Sequence, residues 1–286
     1  MSQAATPTRG ARRSIRGAVS GLFRVVTTFA ALGVTALLGW VLASLSWRGI
    51  SALRWSTLTG TADVVGGTAS LAQAMLGSLM VVVLAFVMAV PLGLIAGVFL
   101  SEVGRNSRWL PTVRFAADVL SGMPAIVVGV CVYLLFGALG LSQSLFAGAV
   151  ALAALMTPMV ACTTSRTLNE ASPALREAAV ALGTPAWRIL LQISLRAAAP
   201  GILSAGLLAI ARVAGEVAPL LLTIPDRSSS ALAPGTSAAT LHVQAYRDLL
   251  SSEPQVQSLA WTAALLLTVG IMSIVFVAHR SGRVVR

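Results

Sequence analysis

Six apolar runs alternate with polar, arginine-bearing segments along this chain. They cover residues 21–46, 74–100, 115–139, 145–162, 200–222 and 259–278. A bilayer-spanning helix needs about 20 mostly apolar residues, so each run is predicted as one transmembrane helix. Their helix breakers include Pro91, Gly93 and Gly97 in the second, Gly122-Met123-Pro124 in the third, and Thr157-Pro158 near the end of the fourth. Such residues are tolerated in a membrane bundle where neighbours satisfy the freed backbone groups. The interruption in the third run either lines a cavity or packs closely on another helix. Gly140 to Ser144 reads as a tight turn, which sets the third and fourth spans antiparallel.

The segments between the runs differ in character. Residues 1–20, with Pro7, Arg9, Arg12, Arg13 and Arg16, are expected to be a disordered basic arm. Arg12-Arg13 does not make an export signal, because the apolar run after it exceeds a signal-peptide core and no small-residue cleavage site follows. Residues 47–73 read as a loop with a turn at Gly66-Gly67, and residues 101–114 as a short basic loop. Residues 224–255 form the longest loop, rich in turn residues, with a short surface helix expected over 241–250. That loop is too small to enclose a ligand-binding domain, so a dilute solute would have to be delivered by another protein.

The stretch 169–199 is different again. Ser172-Pro173 and Thr184-Pro185 each predict a side-chain cap followed by a proline at the first helical position. Gly183 between them supplies the left-handed residue that ends a helix. Leu175, Ala178, Ala179 and Leu182 recur at helical spacing, with Arg176, Glu177 and Val180 on other faces. The expectation is a pair of short helices outside the hydrocarbon, joined directly to a span carrying Arg212 and Glu216. Such a joint points to mechanical coupling.

Composition agrees with the pattern. The chain is 57% hydrophobic and 10% charged, where soluble domains carry about 25% charge, so this is an integral membrane protein. The net charge of +11 forms no stripe with interleaved aromatics, which argues against nucleic acid. Its 20 basic residues are all arginine. Of these, 15 lie in the arm, the second and fourth loops and the tail, counting Arg24 and Arg166 at their boundaries, against Arg48, Arg54, Arg227 and Arg247 on the opposite side. The positive-inside rule therefore places both termini and the 169–199 loop in the cytoplasm. Without lysine there is no P-loop, so any ATP hydrolysis belongs to another subunit. Cys131 and Cys162 read as small buried hydrophobes, His242 and His279 as interfacial side chains, and no metal site is expected.

Glu177-Ala178-Ala179, then Gly183, Ile193 and Leu195, resembles the Glu-Ala-Ala loop of ABC-transporter permeases. The spacing holds except that Arg196 stands where the family pattern has proline. Residues 209–223 around Arg212-Val213-Ala214-Gly215-Glu216, residues 120–127 around Gly122-Met123-Pro124, and residues 259–265 resemble phosphate-specific permeases of the PstA type. The resemblance implies an all-α membrane protein with six transmembrane helices, a type I ABC importer-like permease with a cytoplasmic coupling helix. Its core would cover residues 72–280, with the helix over 21–46 as an addition. The same resemblance implies a bacterial cell-membrane location and transport of inorganic phosphate by alternating access. The partners it implies are a second homologous permease subunit, two ATPase subunits on the cytoplasmic side and an extracytoplasmic phosphate-binding protein. ATP and magnesium would be held on the ATPases and no cofactor bound directly. Glu177, Ala178, Ala179, Gly183 and Trp187 would contact the ATPase.

Arg212 costs roughly 2.5 to 3.5 kcal/mol near the bilayer centre and must face protein or water. Glu216 follows one helical turn later, so the two can form a buried ion pair fixing one helix on another. Alternatively Arg212 lines the substrate path and holds a phosphate oxyanion, with Glu216 holding it between transport events. Ala205, Ala209, Arg212, Glu216 and Pro219 then form one stripe along the span. Another oxyanion or a small solute stays open as cargo. An intramembrane enzyme would need a nucleophile with its base, or a metal cluster, inside the spans. Asp118 and Glu216 are far apart in sequence, and no histidine lies in a span.

Overall fold

The structure is a computed structural model that describes residues 9–53, 55, 58, 71–102, 104, 107–141, 143–170, 173–224 and 239–283. The Gly66-Gly67 turn, the Ser172 cap and residues 225–238 of the longest loop lie outside the described residues. Among those described, every regular element is helical. In chain order they are α1 (Arg9–Ala52), α2 (Leu71–Ser101), α3 (Leu110–Gly122), α4 (Ala125–Gly137), α5 (Leu145–Glu170), α6 (Pro173–Ala181) and α7 (Ala186–Arg188). A π-helical segment, Ile189–Ser194, leads into α8 (Leu195–Val213), followed by α9 (Ala218–Thr223), α10 (Leu241–Leu250) and α11 (Pro254–Arg283). Five helices are long and apolar enough to cross a membrane, or six if the bent pair α3 and α4 counts as one span.

The chain divides into two compact units, Met1–Arg48 and Gly49–Arg286. In the first, α1 exposes Leu22, Phe23, Val26, Phe29, Leu37 and Trp40 all round its circumference, as expected of a helix whose solvent is lipid. This helix is already formed at Arg9, so residues 9–20 are not the disordered arm that their charge predicts. Arginine and alanine are good helix formers, and extending an existing helix is far easier than nucleating one.

The second unit is built around α2 against α5. Val81, Ala85 and Ala89 of α2 pack with Leu152, Met156 and Val160 of α5, and Ala209, Val213, Leu220 and Val243 complete the same core. Contact between the two helices is closest where α2 carries Gly93 and Gly97. A Cβ on Gly97 would come within 2.5 Å of the Thr164 Cβ and 2.7 Å of the Ala161 carbonyl oxygen, so the backbones touch without an intervening side chain.

Two expected spans are broken more sharply than the sequence implies. Over 115–139 the chain forms not one interrupted helix but α3 and α4, bent by 106° at Met123-Pro124. Pro124 excludes the α region for the residue before it, and Met123 sits at φ −70°, ψ 135°. Over 200–222, α8 stops at Val213 and α9 restarts at Ala218. The second short helix does not form separately. Residues Ala186–Val213 run as one 28-residue helix through the π segment, with Pro200 inside it. Pro185 occupies its cap position and Thr184 makes no capping hydrogen bond.

Candidate functional site

The loop between α5 and α8 presents its helix outward. α6 ends in a Schellman motif: Thr184 N–H donates to the Ala179 carbonyl at 3.0 Å and Gly183 N–H to the Val180 carbonyl at 2.9 Å. Gly183 has φ +72° with open space around it, so the left-handed backbone, rather than crowding, is what calls for glycine. Leu175, Val180, Leu182 and Trp187 are exposed, Leu182 at 84%, together with Glu177 and Ala178. Of Leu175, Ala178, Ala179 and Leu182, only Ala179 is buried. The stripe of Leu175, Ala178, Ala179 and Leu182 therefore does not pack as a unit on its own chain. Most of it forms an apolar outer surface beside the Glu177 carboxylate. The Arg188 guanidinium lies 5.2 Å from the centre of the Trp187 ring and stiffens that edge.

The rotation of α6 is set by Arg176 on its inner side. Arg176 pairs with Glu102, just past the end of α2. It also donates to the Leu168 carbonyl of α5 at 3.3 Å and to Ser194 Oγ of the π segment at 3.3 Å. The sequence pattern puts Arg176 on another face and suggests no role for it. Its partners lie 8, 18 and 74 residues away, beyond any local pattern.

The second candidate group, Arg212 and Glu216, is not brought together. Arg212 is exposed on the last turn of α8. Glu216 lies beyond the helix end, where Gly215 N–H donates to the Arg212 carbonyl at 3.2 Å and Glu216 N–H to the Val213 carbonyl at 3.0 Å. These tightened turns remove the one-turn relation that the spacing implies, and the two side chains form no ion pair with each other. Ala209 and Pro219 of the expected stripe are buried, Ala205 half-buried. Pro219 instead meets α4: a Cβ on Gly129 would stand 2.7 Å from the Pro219 Cα.

His242, expected at an interface, is buried at this break. Its Nε2–H donates to the Ala214 carbonyl at the end of α8. Nδ1 stands 3.5 Å from Ser78 Oγ, and that same oxygen accepts the Leu241 N–H at 2.8 Å. Burial lowers the His242 pKa and the Ala214 hydrogen bond opposes the shift, so the ring is neutral with its proton on Nε2. Farther along α10, burial pushes the Asp248 carboxyl up to about 6 against a hydrogen bond with Gln244. A cavity of about 520 Å³ opens between the break, α10 and α11, walled by Ala214, Val217, His242, Tyr246, Trp261 and Ile271. Its wall is mainly apolar and includes neither Arg212 nor Glu216. A bare oxyanion has little to hold it there.

Residues 89–286 match the family described as "Binding-protein-dependent transport system inner membrane component". The chain is 40% identical over 236 residues to the phosphate transport system permease protein PstA of Yersinia pestis, covering 82% of this chain and 79% of that one. It is 36% identical over 269 residues to the phosphate transport system permease protein PstA 1 of Mycobacterium tuberculosis, strain H37Rv, covering 92% and 86% respectively. Among solved structures it superposes on an inward-facing form of the MetNI methionine ABC transporter with a TM-score of 0.59 and 21% identity, covering 76% of this chain and 94% of that one.

Proposed function

This chain belongs to the binding-protein-dependent transport system inner membrane components, and on that footing we propose that it is the membrane-spanning subunit of an ATP-driven inorganic phosphate importer. It is a permease subunit and not an enzyme, and ATP hydrolysis resides on separate subunits. The observation that carries the cargo is its identity of 36% to 40% with phosphate permeases over most of its length. Membership implies ATPase and binding-protein partners. In this reading the partners are a second homologous permease, two ATPases that bind ATP and magnesium, and a phosphate-binding protein on the outer face.

The geometry of α6 supports the coupling arrangement. Glu177, Ala178, Leu182 and Trp187 are exposed around a short helix whose end is held by Gly183, and a rigid apolar knob beside one carboxylate suits a cleft on a soluble partner. The connection onward is short: α7 and the π segment run without a break into α8, which ends beside the Arg212 to Val217 turn. A displacement of α6 reaches that turn as motion of one continuous helix. Alternating access then requires that ATP-bound and ATP-free partners hold α6 differently, since a ligand shifts an equilibrium only through differential affinity. Both termini and α6 lie on the cytoplasmic side in this reading, as the arginine bias requires.

The test is energised phosphate uptake in membranes lacking and then regaining this chain. Uptake at low phosphate should return with the chain, and unchanged uptake in its absence removes phosphate as the cargo. Within the same assay, replacement of Arg212 addresses the path, where an exposed guanidinium at a helix break can meet an oxyanion as a planar hydrogen-bond fork.

A further inference from the structure

The outer side of α6 belongs to the partner in the reading above, but its inner side holds an unassigned feature. Among the described residues, the hydrogen bonds and ion pairs that leave α6 for the rest of the bundle all start at Arg176. Its guanidinium reaches the Glu102 carboxylate at the end of α2, the Leu168 carbonyl in the last turn of α5 and Ser194 Oγ in the π segment. The ends of α2 and α5 present unsatisfied carbonyls and the negative poles of their helix dipoles. A cation at their junction is stabilised by both helices as well as by Glu102. The pair is only about a fifth exposed, 22% and 20% for the two side chains, so water screens it weakly.

We propose that Arg176 is the positioning residue of transport, a brace through which displacement of α6 is passed to α2, α5 and the π segment together. The inference rests on α6 being the helix that meets the ATPase. Among the described side chains of α6, Ala179 is the one fully buried and Arg176 is half-buried, and a small apolar contact lets a helix rock. All three contacts are made by one terminal nitrogen, Nη2, whose two N–H groups are shared among the Glu102 carboxylate, the Leu168 carbonyl and Ser194 Oγ, so one point of charge ties three elements at once. The π segment, one of the three elements tied, is a backbone irregularity of the kind found at functional joints. With the brace removed, α6 would dock and move while the bundle followed only in part.

The experiment uses the assembled transporter in vesicles, with phosphate uptake and ATP hydrolysis measured side by side. Arg176→Gln and Glu102→Gln should leave ATPase co-purification and basal hydrolysis in place while uptake per ATP falls about ten-fold, the size of a typical coupling free energy. The double variant should be no worse than either single variant to within about two-fold, because both break the same contact. Arg176→Lys, which keeps the charge, should recover most of the loss. Unchanged uptake per ATP in the Gln variants, or losses that multiply in the double variant, would overturn the proposal. If an unpaired charge prevents the single variants from assembling, the neutral double variant decides: assembled but uncoupled supports a brace, while assembled and coupled, or not assembled, overturns it. Leu182→Asp separates the premise from the inference. Normal co-purification and uptake in that variant show that α6 is not the docking helix, whatever Arg176 does.

Discussion

Gly183 and Asp248 show how much a single position controls here. At Gly183 the backbone sits at φ +72° with open space where a side chain would project, so substitution costs only what an L-residue loses in the left-handed region, about 1 to 2 kcal/mol. Gly183→Val should loosen the Schellman end of α6 and weaken ATPase co-purification several-fold. Gly183→Asn, which tolerates that region, should retain most of it. Asp248 gives a prediction in pH. Burial raises its pKa from 3.8 to about 6, so its ionised form burdens the folded state above pH 6, and stability is gained as pH falls from 6 towards 3.8. His242 on the same helix works in the opposite sense. Its folded pKa is depressed, so the stability of neutral His242 is present above 6.5 and lost progressively as pH falls below it. Below about pH 6 the two slopes have opposite signs and partly offset each other. Asp248→Asn should therefore protect α10 amides more than the parent at pH 7.5, with the difference shrinking as the medium is acidified, measured by hydrogen exchange. Equal exchange of parent and variant at pH 7.5 would show that Asp248 carries no such burden.

At the scale of elements, the contact between α2 and α5 is the one most exposed to a single methyl group. Gly97→Val would place Cβ 2.5 Å from the Thr164 Cβ and 2.7 Å from a backbone oxygen. Overpacking of this kind costs about 1 to 3 kcal/mol when the surroundings yield, and more where backbone must move. The amount of detergent-extractable monodisperse protein should fall sharply, whereas Gly270→Ala on α11, where no atom lies within 4 Å of the added carbon, should leave it unchanged. The existence and type of the long helices are legible in the sequence because apolar runs of bilayer length admit few alternatives. The left-handed end at Gly183 is legible because it depends on four adjacent residues. Gly93 and Gly97 look like breakers, although Ala85, Ala89, Gly93 and Gly97 at four-residue spacing already mark a face for close packing. The break after Val213 has a weaker cue in Gly215 and Pro219, and a continuous apolar run masks it. What cannot be read locally is long-range: His242 closing on Ala214, and Arg176 closing on Glu102.

For the whole molecule, orientation decides whether α6, proposed as the coupling helix, can meet an ATPase at all. The arm, the second and fourth loops and the tail hold 15 arginines with Arg24 and Arg166 counted at their boundaries, and the opposite loops hold Arg48, Arg54, Arg227 and Arg247. A bias of this size normally sets topology. Single cysteines can report it, because the native Cys131 and Cys162 are replaceable free thiols. In that background Leu182→Cys, at a position 84% exposed, should resist a membrane-impermeant maleimide added to intact cells and react once the membrane is opened. Leu250→Cys, 69% exposed at the end of α10, should react in intact cells. Glu177→Lys then asks whether α6 carries the drive. Reversing one exposed charge at a docking rim costs little in folding but places like charges or an unmet carboxylate partner across the interface. Insertion should be normal, phosphate uptake should fall at least about ten-fold, and ATPase co-purification should weaken with a strong dependence on salt. Normal uptake with the ATPase still bound would separate Glu177 from coupling. Labelling of Leu182→Cys from outside would be more damaging, because an ATPase in the cytoplasm could not touch α6 and the drive would have to enter the bundle elsewhere.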